Sequence, residues 1–146
     1  MACDIHAYLE KQRDDGTYEY IDSVFNHLRD YNLFAFLADV RNYSNIEPLV
    51  PPRRNLPADV SEYVLAQRNE WGSDGHSVSW VSIDELFAFD YSSIVKQNTG
   101  YTTWGGITRG TSLDMKYSDF LGDDIMMIIL RLGKFVDHRI VFWFDN

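Results

Sequence analysis

The chain has 146 residues, 45% hydrophobic and 24% charged, values that fit one globular domain and exclude collagen, coiled coil and disorder. Thirteen Lys and Arg against 22 Asp and Glu leave a net charge of −9, which argues against a duplex nucleic-acid partner, because neutralising phosphates takes a basic face. Apolar runs do not exceed six residues, as at Ile125–Leu130, far below the roughly 20 that a spanning helix needs.

The first residues show no basic stretch followed by an apolar one, and Cys3 is the only cysteine. Both features predict a cytoplasmic protein without disulfides or membrane contact. Cys3 to Glu10 alternates, with Cys3, Ile5, Ala7 and Leu9 on one face and Asp4, His6, Tyr8 and Glu10 on the other, the period of a strand. Asp14-Asp15-Gly16 is a turn signal, and Thr17–Ile21 is the return strand of a hairpin. Asp30 caps a predicted helix over Tyr31–Val40, with Leu33, Phe34, Phe36, Leu37 and Val40 at helical spacing. A loop over roughly Asn42–Pro57 holds every proline of the chain and the pair Arg53-Arg54. Loops of that length are uncommon inside small domains and are often functional.

Asp59 or Ser61 caps a second helix reaching about Trp71, broken by Gly72-Ser73-Asp74-Gly75. Val78–Val81 is a short strand, and Ser82-Ile83-Asp84-Glu85 is a capping box opening a helix over Ile83–Phe89. Four glycines between Gly100 and Thr111 predict a loop, and 90–120 as a whole an irregular lid. Asp123 or Asp124 starts a last helix that stops at Gly133, and Arg139–Phe144 is a strand apolar enough to be buried on both faces. The order of elements predicts a single α+β domain over 1–146. Its small antiparallel sheet, with the N- and C-terminal strands adjacent, packs against about four helices.

Two Asp-x-His motifs carry the candidate chemistry, Asp4-Ile5-His6 on a strand and Asp74-Gly75-His76 in a glycine loop. Their oxygens and nitrogens suit a divalent metal, and two such pairs meeting in space would activate water. Glu10 lies too far along the strand to join one ion, at roughly 13 Å by strand rise, but is a distant acid/base candidate. Asp-x-His also opens metallophosphoesterases, yet Gly122-Asp123-Asp124 is not followed by their Gly-Asn-His. The glycine-rich segment offers Trp104 and Arg109, and Arg41, Arg53 and Arg54 supply further cations. Backbone N–H groups, hydroxyls and guanidinium forks suit phosphate, and tryptophan suits a base or sugar face. Trp71, Trp80 and Trp143 fit a core or pocket wall, aromatic residues dominating cores as readily as sites.

Several segments together resemble a family of small proteins encoded by bacteria and their phages, for which no activity is established. They are Cys3–His6, Leu33–Asn42, Arg54–Ser61, Asp74–Trp80 with the helix Ile83–Leu86, and Arg139–Asn146, leaving out roughly 90–120. The family's middle motif reads Arg-Gly-Leu-Pro, where this chain has Asn55 in place of the glycine. The resemblance implies an intracellular accessory protein, of the kind that includes sponges for nucleotide immune signals of the host.

Three functions remain open on the sequence. The first is a binding module for a small phosphorylated molecule, such as a cyclic nucleotide or an ADP-ribose derivative, held without a cofactor and not turned over. Its ligand residues would be Asp4, His6, Arg41, Arg53, Arg54, Asp74, His76, Ser77, Trp80, Trp104 and Arg109. The second is a metal-dependent hydrolase or phosphodiesterase with Asp4, His6, Asp74 and His76 as ligands. The third is a protein-interaction module in which the same residues tie the first strand to the loop before Trp80. A homo-oligomer is compatible with each.

Overall fold

A computed structural model describes residues 2–25, 28–104 and 107–145, and of 96–113 the backbone alone. Strand β1 (Asp4–Gln12) pairs antiparallel with β2 (Tyr18–Val24) on one side and with β6 (His138–Asp145) on the other. Strand β3 (Gly75–Ser82) adds antiparallel to the far edge of β6, giving the order β2-β1-β6-β3. The N- and C-terminal strands are therefore central neighbours, as the apolar tail predicted. Ile140 to Phe144 are fully buried, which requires cover on both faces of the sheet.

The larger core lies on the face of Ile5, Ala7, Leu9, Ile140, Phe142 and Phe144. Helix α1 (Tyr31–Ala38) fills its centre, with every residue from Leu33 to Ala38 buried. Asp30 caps it by accepting from the Leu33 N–H, and Asp39 ends it in the left-handed conformation. Helix α3 (Ile83–Ala88) joins the same core through Ile83 and Leu86, with both arms of the Ser82–Glu85 capping box in place. Helices α4 (Tyr117–Leu121) and α5 (Asp123–Arg131) complete that layer with Phe120, Leu121, Ile125 and Ile129.

The opposite face is covered by α2 (Glu62–Trp71), with Leu56 and Val60 of the preceding loop packed beside it. Ser61 accepts from the Val64 N–H at its start, and Val64 packs with Tyr8, Val141 and Trp143 in a second, smaller core. Tyr8 and Glu10, on the other face of the alternation, are thus buried as well.

Residues 94–116 depart from the expected irregular lid. Their backbone forms a hairpin of β4 (Ile94–Trp104) and β5 (Ile107–Lys116), a two-stranded sheet of its own with an irregularity between Asn98 and Tyr101. Glycine inside a strand commonly marks such a bulge, and Gly100 stands at this one. The hairpin is anchored at its root, where Tyr117 N–H donates to Ser93 O and Ser118 N–H to Tyr91 O. Among the described residues no helix is long and apolar enough to cross a membrane.

Candidate functional site

The pairing of β1 with β6 sets His6 opposite Trp143 and Asp4 opposite Asp145. Side chains in adjacent rows on one strand point to opposite faces, and those two apart share one. His6 therefore stands on the α2 face, and its Nε2 donates to Asp145 Oδ2 at 2.6 Å. With Nε2 so engaged, Nδ1 is the ring nitrogen left for a further partner. The pair is partly shielded, with side-chain exposures of 22% for His6 and 19% for Asp145. The Trp71 ring, at the end of α2, lies 4.3 Å from the His6 ring by centroids, and Trp143 stacks behind at 6.3 Å.

His6 opens on a cleft of about 490 Å³ lined by His6, Tyr8, Gln67, Glu70, Trp71 and Asp74. Residues 67, 70 and 71 fall on one side of a helix of 3.6 residues per turn. The last turns of α2 therefore form one wall and β1 the floor. The arrangement presents an aromatic face, an imidazole and two carboxylates. It suits a ligand with hydrogen-bond donors and a flat ring better than one with negative charge.

His6 and Asp74 are the sequence candidates that meet at this cleft. The two Asp-x-His motifs do not converge as pairs. Ile5, Phe144 and His76 form one row across the sheet, so His76 lies on the face opposite His6, with its ring against Phe144. Its Nδ1 meets Ser77 Oγ at 2.9 Å, and its Nε2 is buried without a partner among the described residues. Ser77 itself has a positive φ of 56° at the irregularity of β3. Asp4 turns to Arg29, which donates to both its carboxylate oxygens at 2.9 and 3.1 Å. Among the described residues no group of three or more His, Cys, Asp or Glu side chains is placed to hold a metal ion.

The arginines expected to form one basic pocket are dispersed. Arg54 donates to both oxygens of Glu85 at 2.9 and 2.7 Å, and its guanidinium lies over the Trp80 ring. That makes Arg54 and Trp80 a clamp between the proline loop and α3. Arg54 pulls the Glu85 carboxyl below its usual range. Arg53 is exposed with a positive φ of 60°. Arg41 donates to the Tyr43 hydroxyl beside Tyr31, beyond the end of α1. The side chains of Trp104 and Arg109 lie outside the described residues.

Glu10, the distant acid/base candidate, is fully buried and away from His6. Its carboxylate accepts from Arg139 Nε and from the Ser61 N–H, each at 2.8 Å. Arg139 also donates to Asp59 and covers the Tyr18 ring, so this cluster fastens α2 to the sheet.

Asp145, Glu70 and Gln67 escaped the sequence reading as site residues, whereas Trp71, read as core or pocket wall, lines the cleft. Asp145 faces His6 only because strands 139 positions apart pair. The spacing of Gln67, Glu70 and Trp71 on one helix side was legible, but nothing in it told which face meets a cleft. Comparison with protein-family models, with curated proteins and with solved structures finds no match. What remains as the basis for a function is an α+β domain whose sheet carries a shielded His–Asp pair beside an aromatic, acidic cleft.

Proposed function

We propose that the chain is a binding module that seats a small nucleoside-like ligand in the cleft beside His6. The observation that carries this reading is the His6–Asp145 pair, 2.6 Å apart and covered by Trp71. The Asp145 carboxylate holds the imidazole in one orientation, and Glu70 and Asp74 add acceptors for base N–H groups or ribose hydroxyls. Trp71 offers the ring face on which a base stacks, an interaction of about 1–3 kcal/mol per base. Ligand retention, as in a protein that sequesters a signal, is the function favoured here over turnover.

The test is native mass spectrometry of the protein with adenosine, guanosine, cytidine and uridine, followed by titration of the tightest. At least one should add its unaltered mass. His6→Ala should weaken its binding about tenfold, the loss expected for one or two hydrogen bonds and a stacking contact. If no nucleoside adds mass, or if His6→Ala and Asp145→Asn both bind as well as the native chain, the proposal fails. A nucleoside consumed instead of retained would point to hydrolysis.

A further inference from the structure

A second depression, of about 520 Å³, lies on the other side of the α2 terminus, lined by Asn55, Leu56, Arg68, Asn69, Gly72 and Val78. Arg68 supplies the one charge among these lining residues. Arg13, Arg29, Arg54 and Arg139 each pair with a carboxylate. Arg68 instead donates from Nη1 to Gly72 O at 3.0 Å and from Nη2 to Gly75 O at 3.2 Å. Gly72 O stands at the negative end of the α2 dipole, which offsets about half a charge, so the guanidinium keeps a net positive charge and only part of its donor set is taken. In a chain of net charge −9, an arginine held by backbone beside an acid-free lining is a local exception to the field around it.

The surrounding backbone is built to hold that arrangement. A Cβ at Gly75 would stand 3.1 Å from Arg68 Nη1 and 3.1 Å from Trp71 Cβ, so the glycine leaves room for the guanidinium in its seat. Asn55 has a positive φ of 69° and is pinned by its N–H to Val78 O at 3.0 Å. After glycine, asparagine is among the residues that best tolerate that left-handed position. The segments around Asn55 and Val78 thus close on one depression, which Asn55 and Asn69 line together with Arg68.

We propose that this depression is a phosphate site, in which Arg68 gives the charged fork and Asn55 and Asn69 add amide donors. Guanidinium forks match phosphate oxygens in paired hydrogen bonds, and charge assistance makes such bonds about twice as strong as neutral ones. The site goes beyond the nucleoside reading and stands without it, because it shares no lining residue with the His6 cleft.

The experiment is an NMR titration of the ¹⁵N-labelled chain with inorganic phosphate at constant ionic strength. Saturable shifts are expected at the amides of Asn55, Asn69 and Val78 and at the side-chain N–H of Arg68. Arg68→Gln should weaken them roughly tenfold or more, whereas His6→Ala and the exposed Arg131→Gln should leave them unchanged. The Arg68→Gln spectrum also reports whether the fold survives. If Arg68→Gln shifts resonances across the whole sheet, Arg68→Lys, which keeps the charge but loses the planar fork, takes its place and should weaken phosphate likewise. Absent or non-saturating shifts, shifts that persist without the seated guanidinium, or equal losses in Arg131→Gln would overturn the proposal.

Discussion

Glu10 shows how far a single residue's role depends on its neighbours. In sequence it is the last polar position of an alternating strand. In the structure it is fully buried, bonded to Arg139 and to the start of α2. Removing one partner of a buried ion pair leaves the other charge uncompensated, at about 3–5 kcal/mol. Arg139→Met should therefore lower the unfolding free energy in urea by about that amount. A loss below roughly 1 kcal/mol, the range of exposed pairs, would mean that Glu10 finds water in place of Arg139. The alternation of β1 was legible, and so was its inward set from Cys3 to Leu9. The burial of Tyr8 and Glu10 was not, because it depends on α2. That helix buries only Val64 of its own residues, and the apolar bulk comes from Tyr8, Val141 and Trp143 on the sheet. At the candidate site, His6 and Asp74 carried a visible signal as metal- or hydroxyl-binding types. Asp145 and Arg68 did not, since one acts through strand pairing and the other through carbonyls that any residue owns.

Elements closed by local chemistry were the easiest to read. The capping box of α3 needs four consecutive residues, and its two hydrogen bonds are 3.0 Å each. Glu85 also receives Arg54, so one carboxylate closes the helix and fixes the proline loop. Ser82→Ala should cost about 1 kcal/mol, the usual loss of an N-cap. Glu85→Gln should cost more, because it weakens both the cap and the bidentate pair. The double variant should then fall short of the sum of the two, as expected for residues in one network. Urea midpoints of the three variants measure this, and strict additivity would show the cap and the clamp to be independent. The hairpin over 94–116 was the element least visible in sequence. Its glycines at 100, 105, 106 and 110 read as breaks, and they obscured the β-forming Tyr101, Thr102, Thr103, Ile107 and Thr108 between them. Propensity and breaker signals conflicted there, and only the pairing of two strands along their whole length resolves such a conflict.

Across the whole molecule the two depressions flank the last turn of α2, one aromatic and acidic, the other carrying Arg68. The same helix end, fastened by Arg68 to Gly72 and Gly75, therefore orders both walls, and their integrity follows global stability. That stability has a defined pH dependence on the acid side. His138 begins β6 opposite Lys11; burial, with Lys11 adding to it, holds its imidazole below the ordinary 6.5. Its Nδ1 is buried without a partner among the described residues, so the folded chain resists taking up that proton. Glu85 is likewise lowered from 4.5, chiefly by its hydrogen bonds with Arg54. In both, the unfolded chain binds the proton first as pH falls, so both contribute stability above their unfolded values and lose it as pH drops. The loss begins near pH 6.5 with His138 and deepens below about 4.5 with Glu85. His138→Gln should flatten the first part of this fall and leave the second. Urea midpoints at pH 7.5, 6.5, 5.5 and 4.5 for both chains decide it. Parallel curves would mean that His138 titrates alike in the folded and unfolded chain, and that the acid sensitivity lies with the carboxylates.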